Sequence, residues 1–288
     1  FGLSLILFSC YTINESSAAE QNKTTSPNQF QENMSIIFTN NSKMYSIFID
    51  KAIELLKNSD SLETMYIING IITIGSNENK NPEMIKKFNN LYDTYYSSIM
   101  NDVDTNTIEK IILGTLIYCG FSKGENNSDI DDIIKNGKDI LTNIKDKCQD
   151  KNFQALTILF LAAGPITSEE KVEYYEKFKN LFLNNNAIPL VDYYINYFKY
   201  FECENVDYDK FIENSISLAG KYNEIISPFG SYKFNLDYYE DIVVAYLKLK
   251  KIDEAQKYYE YIKKEAPNYR GLKYLERRIE LLTKYGLK

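Results

Sequence analysis

Apolar side chains recur every three or four residues along almost the whole of this chain, a period that helices satisfy and strands do not. Tyr45, Phe48, Ile49, Ala52, Ile53 and Leu56 form one such stripe. Ser59, Asp60 and Ser61 interrupt it, and residues 65–74 are then almost continuously apolar. Asn81-Pro82-Glu83 opens a third helix, because proline is favoured at the first helical position, and Ile85, Phe88, Leu91 and Tyr95 continue it. Asp104-Thr105 opens a fourth, running through Ile111, Ile112, Thr115 and Tyr118 to Gly120. An amphipathic segment over 129–147 comes next, then an apolar one over 153–163 that stops at Gly164-Pro165. Thr167 and Glu170 have the offset of a capping box and start another helix. Helices are also expected over 190–201 and 207–226.

An amphipathic helix is thus followed by a more apolar one. The pair recurs at roughly 40-residue spacing, from near Ser42, Asn81, Asp129, Thr167, Asp207 and Asn235. That order predicts an all-α fold, an α-solenoid of stacked helical hairpins, since each hairpin covers the apolar face its neighbour cannot bury alone. Gly75, Gly114 and Gly164, in or at the end of the apolar helices, allow close approach of neighbours. With 12 Gly and 6 Pro in 288 residues, the chain is poor in the turns that a β-sandwich or barrel needs. Residues 67–74 and 156–161 are short apolar runs that a strand would also accept, but the flanking turns and the recurring scheme favour buried helices.

Residues 236–269 read LDYYEDIVVAYLKLKKIDEAQKYYEYIKKEAPNY. Tyr239, Ile242, Tyr246, Ala255, Tyr259 and Pro267 stand at characteristic offsets around the junction Lys250-Lys251-Ile252-Asp253, and in these the segment resembles a tetratricopeptide repeat (TPR). It departs from the family at Val243, where a small Gly is usual, and at Ile262, where Ala is usual, so the two helices are expected to pack locally looser or shifted. The resemblance implies that ligand contact comes from the first helix of the repeat, on a concave side. Carried onto this repeat, that face presents Asp237, Glu240, Val244, Leu247 and Lys248; the plainer reading is that these are ordinary solvated residues. Residues 270–286 form one more amphipathic helix with Leu272, Leu275, Ile279 and Leu282 inward, and with Glu276, Arg277, Arg278 and Glu280 on the wet side. A polar-faced terminal helix suits a solenoid cap. The repeat domain is expected over 35–288 and is only TPR-like before residue 236.

The opening, FGLSLILFSC, lacks Met, and a few residues are expected to precede it. Its apolar run is too short to span a bilayer, which takes about 20 residues, and fits the apolar part of an export signal. Leu7-Phe8-Ser9-Cys10 resembles the lipobox of bacterial lipoproteins, with Phe8 the looser fit. The resemblance implies that residues 1–10 are the remnant of a signal peptide cut just before Cys10, and that Cys10 is acylated and anchors the chain in a membrane. Ser17 and Ala19 leave open an ordinary secretory cut after Ala19, and a free buried Cys10 is the plainest alternative. Residues 11–34, rich in Asn, Ser, Thr, Gln and Glu, cannot bury enough apolar surface to fold and are expected to form a disordered tether.

Several chemistries are disfavoured. Histidine is absent, which removes Ser-His-Asp and Cys-His systems and His-based zinc sites. A net charge of −7 argues against nucleic acid as a partner. Cys119, Cys148 and Cys203 are widely spaced with no C-x-x-C, so neither a disulfide framework nor a metal site is expected. Neither a phosphate-binding loop nor a dinucleotide fingerprint occurs, and Asp129-Ile130-Asp131-Asp132 lacks the Gly and distal Glu of a calcium loop. No cofactor is expected. The carboxylate groups Asp131/Asp132, Glu169/Glu170 and Asp237/Glu240/Asp241 read as charged, solvated helix faces rather than as a catalytic pair, so an enzyme is not expected. The chain holds 25 tyrosines, and Tyr193, Tyr194, Tyr197, Phe198, Tyr200 and Phe201 crowd one helix. Helix packing is the preferred reading, an aromatic binding surface the other.

The expected function is that of a lipoprotein of the bacterial cell envelope, on its periplasmic or surface side, docking another protein or peptide in a concave groove. The alternative is a small-molecule-binding component accessory to a TRAP-type or other transporter, with an apolar ligand held inside the helical array.

Overall fold

The computed structural model describes residues 42–57, 62–77, 81–123, 129–182, 187–225, 232–269 and 271–285. The expectations for Cys10, for residues 1–10, for the tether 11–34 and for Ala19 lie outside these. The fold is all-α, and every regular element among the described residues is helical, including both runs that were ambiguous with strands. The α-helices are α1 Ser42–Leu56, α2 Leu62–Asn77, α3 Pro82–Tyr95, α4 Thr107–Tyr118, α5 Ile130–Lys147, α6 Lys151–Ala163, α7 Ser168–Leu181, α8 Ile188–Asn196, α9 Tyr208–Lys221, α10 Asn235–Lys248, α11 Ile252–Glu265 and α12 Leu272–Tyr285. None among the described residues is long and apolar enough to cross a membrane. The chain divides into two compact units, with the boundary between Val191 and Asp192.

Local chemistry sets the helix starts. Asn81 accepts from the amides of Glu83 and Met84, and Pro82 occupies the first turn of α3. Asp129 caps α5 and Asp150 caps α6. Thr167 and Glu170 form a complete capping box, each side chain 3.2 Å from the other's backbone nitrogen. The start of α4 falls at Thr107 rather than at 104–105. The Asp102 carboxylate bonds the amide and hydroxyl of Thr105 and holds a turn there, a local alternative to helix. Asn106 then enters the helix with φ of 49°.

In the unit that ends at Val191, sequence neighbours pair as hairpins: α1 with α2, α3 with α4, α5 with α6. The apolar second helices α2, α4 and α6 also pack on one another, all three pairwise. A strictly linear array would keep the first and third hairpins apart; here α2 meets α6. The reason is in the sequences of these helices. Every residue of α4 except Glu109 is buried, and α6 is buried from Ala155 to Ala163. A helix that is apolar all round must be covered all round, and each large aliphatic side chain so buried contributes about 1.5–3 kcal/mol.

Close approach is built in where the expectation put it. A Cβ on Gly75 would stand 2.9 Å from Cys119 Cβ, and one on Gly114 2.8 Å from Ile140 Cγ2. Tyr118, fully buried in α4, is held between Gly137 of α5 and Gly164 at the end of α6. Helix α4 itself ends on Gly120 at φ 96°, with the Phe121 amide bonded to the Leu116 carbonyl, the left-handed stop for which Gly is the least strained residue.

In the unit that begins at Asp192, α10 is the central helix, packed against α9, α11 and α12. Val243, Val244, Ala255, Ile262 and Leu275 make its core. Tyr197–Phe201 form a turn of π-helix. Helix α9 stops at Lys221, earlier than the periodicity predicts, because Tyr222 turns back to donate its hydroxyl to Asp192.

Candidate functional site

The repeat-like segment folds as the hairpin α10–α11, and the residues at its signature positions Ile242, Ala255 and Tyr259 are buried in the core. Val243 and Ile262, the two larger residues, are also fully buried. The turn between the helices is tight. Lys250 takes φ of 60°, its amide bonds Leu247, and the Lys251 amide reaches the Tyr246 carbonyl at 2.9 Å. This is a left-handed helix stop of the kind usually filled by Gly.

The chain then turns at Tyr269 and lays α12 back across α10. Leu275 and Ile279 enter the core. One turn further, α12 and the end of α10 part to leave a cleft of about 270 Å³. Its floor is Val244 and Leu247 of α10 with Leu281 and Leu282 of α12; its rim is Lys248, Lys250 and Arg278. Arg278 is held in place by Tyr274, whose ring lies 5.2 Å beneath the guanidinium and whose hydroxyl accepts from Nη1 at 2.6 Å.

The five residues of the sequence-derived binding face therefore fall into two groups. Val244, Leu247 and Lys248 line the cleft. Asp237 and Glu240 do not; both meet the Tyr269 hydroxyl, at 2.9 and 2.6 Å. The expectation of a solvated acidic face is overturned here. Glu240 and Asp241 are buried, at 7% and 6% exposure, because α10 is covered on three sides. Asp241 accepts from the Tyr193 hydroxyl. Burial and the Asp241 charge push the Tyr193 phenol well above its ordinary value, so it stays a neutral donor. The carboxylates of α10 are thus held by phenols in the packing.

The tyrosine-rich segment packs inward in the same way. Tyr194 and Tyr197 are buried, Phe201 stacks on Tyr197 at 4.9 Å, and Phe211 meets Phe201 at the same distance. Cys119, Cys148 and Cys203 are free thiols, and burial pushes Cys119 up to about 12 and Cys148 up to about 11. Among the described residues no three Cys, Asp or Glu side chains converge as a metal site.

By its place in the sequence pattern Arg278 belongs to the wet side of α12 and Lys250 to the junction alone, yet both line the cleft. The one signal for Lys250 was a Lys in the position after a helix end where Gly is favoured. Compared with models of known protein families, with curated proteins and with solved structures, the chain matches none.

Proposed function

We propose that this protein is a lipid-anchored lipoprotein of a bacterial envelope that docks another protein through TPR-like helical hairpins. The lipobox-like Leu7-Phe8-Ser9-Cys10 and the polar stretch that follows it support the anchor and the tether. A single acyl chain holds only marginally, but bacterial lipoproteins resemble one another in carrying several on the Cys. The hairpin α10–α11, with its signature positions in the core, supports the TPR-like arrangement.

The observation that carries docking is the cleft between α10 and α12. It has an apolar floor and a polar, charged rim, the anatomy of a protein contact patch. At about 270 Å³ the cleft is sized for a few side chains, and its charged rim favours docking over the carriage of a small apolar ligand there.

The anchor is tested by intact mass and detergent partition of protein expressed with its native leader, wild type beside Cys10→Ala. An acyl mass increment and partition into detergent, both lost in the variant, are expected. If both forms are unacylated and stay in the aqueous phase, the anchor is wrong. Crosslinking from membranes through a photoreactive residue at Leu281, with Lys257 as a control, then asks whether a partner sits on the cleft.

A further inference from the structure

Three cations ring the cleft, Lys248, Lys250 and Arg278. Among the described residues none of them is paired with a carboxylate. The chain as a whole carries −7, so a local cluster of unpaired positive charge runs against its average. Lys250 adds a second, independent observation. It holds a left-handed backbone, φ 60°, at a helix stop where Gly would be unstrained. A strained residue whose side chain lines a cleft marks a place where the side chain matters more than the backbone. The floor supplies a third: Leu281 is 36% exposed and leaves apolar surface open beside the cations, over a base formed by the buried Val244 and Leu247.

From this juxtaposition we infer that the cleft is a docking site for an acidic amphipathic segment of a partner protein. An apolar side chain of that segment enters between Val244, Leu247 and Leu281, and flanking carboxylates meet Lys248, Lys250 and Arg278. The inference rests on the docking reading above and names the chemistry of the partner. Charge complementarity selects the occupant: a basic or neutral segment gains nothing from the rim, whereas an acidic one is drawn to this cluster of cations on a chain whose net charge is −7. An anionic membrane would meet the same cations, but a concave cleft suits a protruding side chain better than a lipid surface.

The test uses the full chain and dye-labelled hexapeptides read by anisotropy: Glu-Glu-Leu-Phe-Glu-Glu, its Lys counterpart and its Gln counterpart. The acidic peptide is expected to bind alone of the three, and to weaken as salt rises. Each of Lys248→Gln, Lys250→Gly and Arg278→Gln is expected to weaken it about threefold. Lys250→Gly separates site from scaffold. It is expected to raise the melting temperature, because strain is relieved, while lowering affinity. If the Gln and Lys peptides bind as well as the acidic one, the cleft docks proteins but its acidic preference is wrong. If none of the three binds, the docking reading of the cleft falls as well. Co-sedimentation with vesicles of phosphatidylcholine and phosphatidylglycerol that is lost in the same variants, without peptide binding, would assign the cations to a membrane and overturn the inference.

Discussion

Gly137 lies against the backbone of Tyr118: a Cβ at position 137 would stand 2.2 Å from the Tyr118 amide nitrogen and 2.5 Å from its Cα. Backbone cannot rotate out of the way as a side chain can, so α4 and α5 must separate to admit even a methyl group.

Gly137→Ala is therefore expected to destabilise, although alanine is the better helix former by about 1 kcal/mol. Overpacking a closed core costs about 1–3 kcal/mol, and with backbone as the obstacle the upper end applies, a net loss of about 2 kcal/mol. Gly220→Ala is the control. Nothing lies within 4 Å of a Cβ there, so the same substitution in α9 is expected to stabilise by up to about 1 kcal/mol. Urea unfolding of both reads the two signs; equal effects would discard the argument.

Tyr269→Phe keeps the ring that fills the core between α10 and α12 and removes only the hydroxyl shared by Asp237 and Glu240. A buried carboxylate that loses a donor costs about 1–3 kcal/mol. The expected loss is of that size, and a variant as stable as wild type would show that these carboxylates do not depend on the phenol.

Glu170 closes the capping box of α7 and takes a 2.8 Å ion pair from Lys138 of α5; both hold its carboxyl below the ordinary value. A lowered carboxyl stabilises the fold above its unfolded value and loses that contribution as pH falls through the folded one. Both partners are a third or more exposed, so the gain is small. Glu170→Gln is expected to cost about 0.5–1 kcal/mol at pH 7, with the two unfolding curves converging as pH falls below the ordinary carboxylate range and Glu170 takes up its proton.

The thiols act at the other end of the scale. Cys119 and Cys148 are pushed up to about 12 and about 11 by burial, whereas an unfolded chain releases these protons near about 8.5. Folded and unfolded states bind the same protons below that value. Above it the folded state holds more, so stability is expected to fall as pH rises from about 8.5 toward 11. The buried phenols of Tyr193 and Tyr238, also raised, add to the loss above pH 10. Iodoacetamide at pH 8 should label Cys148 slowly until urea is added, and rapid labelling at that residue in the native protein would contradict its burial.

What was legible in the sequence was whatever a few neighbouring residues decide. Asn81, Asp129 and Thr167 cap their helices because a cap needs only the next three amides. The all-α class followed from period alone. The burial of Glu240 and Asp241 was not legible, because it depends on α9, α11 and α12 converging on one helix. Half of the cleft was visible in Val244, Leu247 and Lys248, while its other wall, Arg278 and Leu281, is brought there by the turn at Tyr269. The meeting of α2 with α6 escaped for the same reason: each hairpin alone looks like a unit of an open row.

That meeting bears on how such a chain can change over generations. Open rows of hairpins grow and shrink by copying or dropping a unit, because each unit touches only the next. With α2, α4 and α6 mutually packed, a duplicated or deleted hairpin would pull apart a contact made by helices on either side of it. The unit that ends at Val191 is bound to a fixed count of hairpins. Its sequence is free to drift residue by residue, while its length is held by geometry.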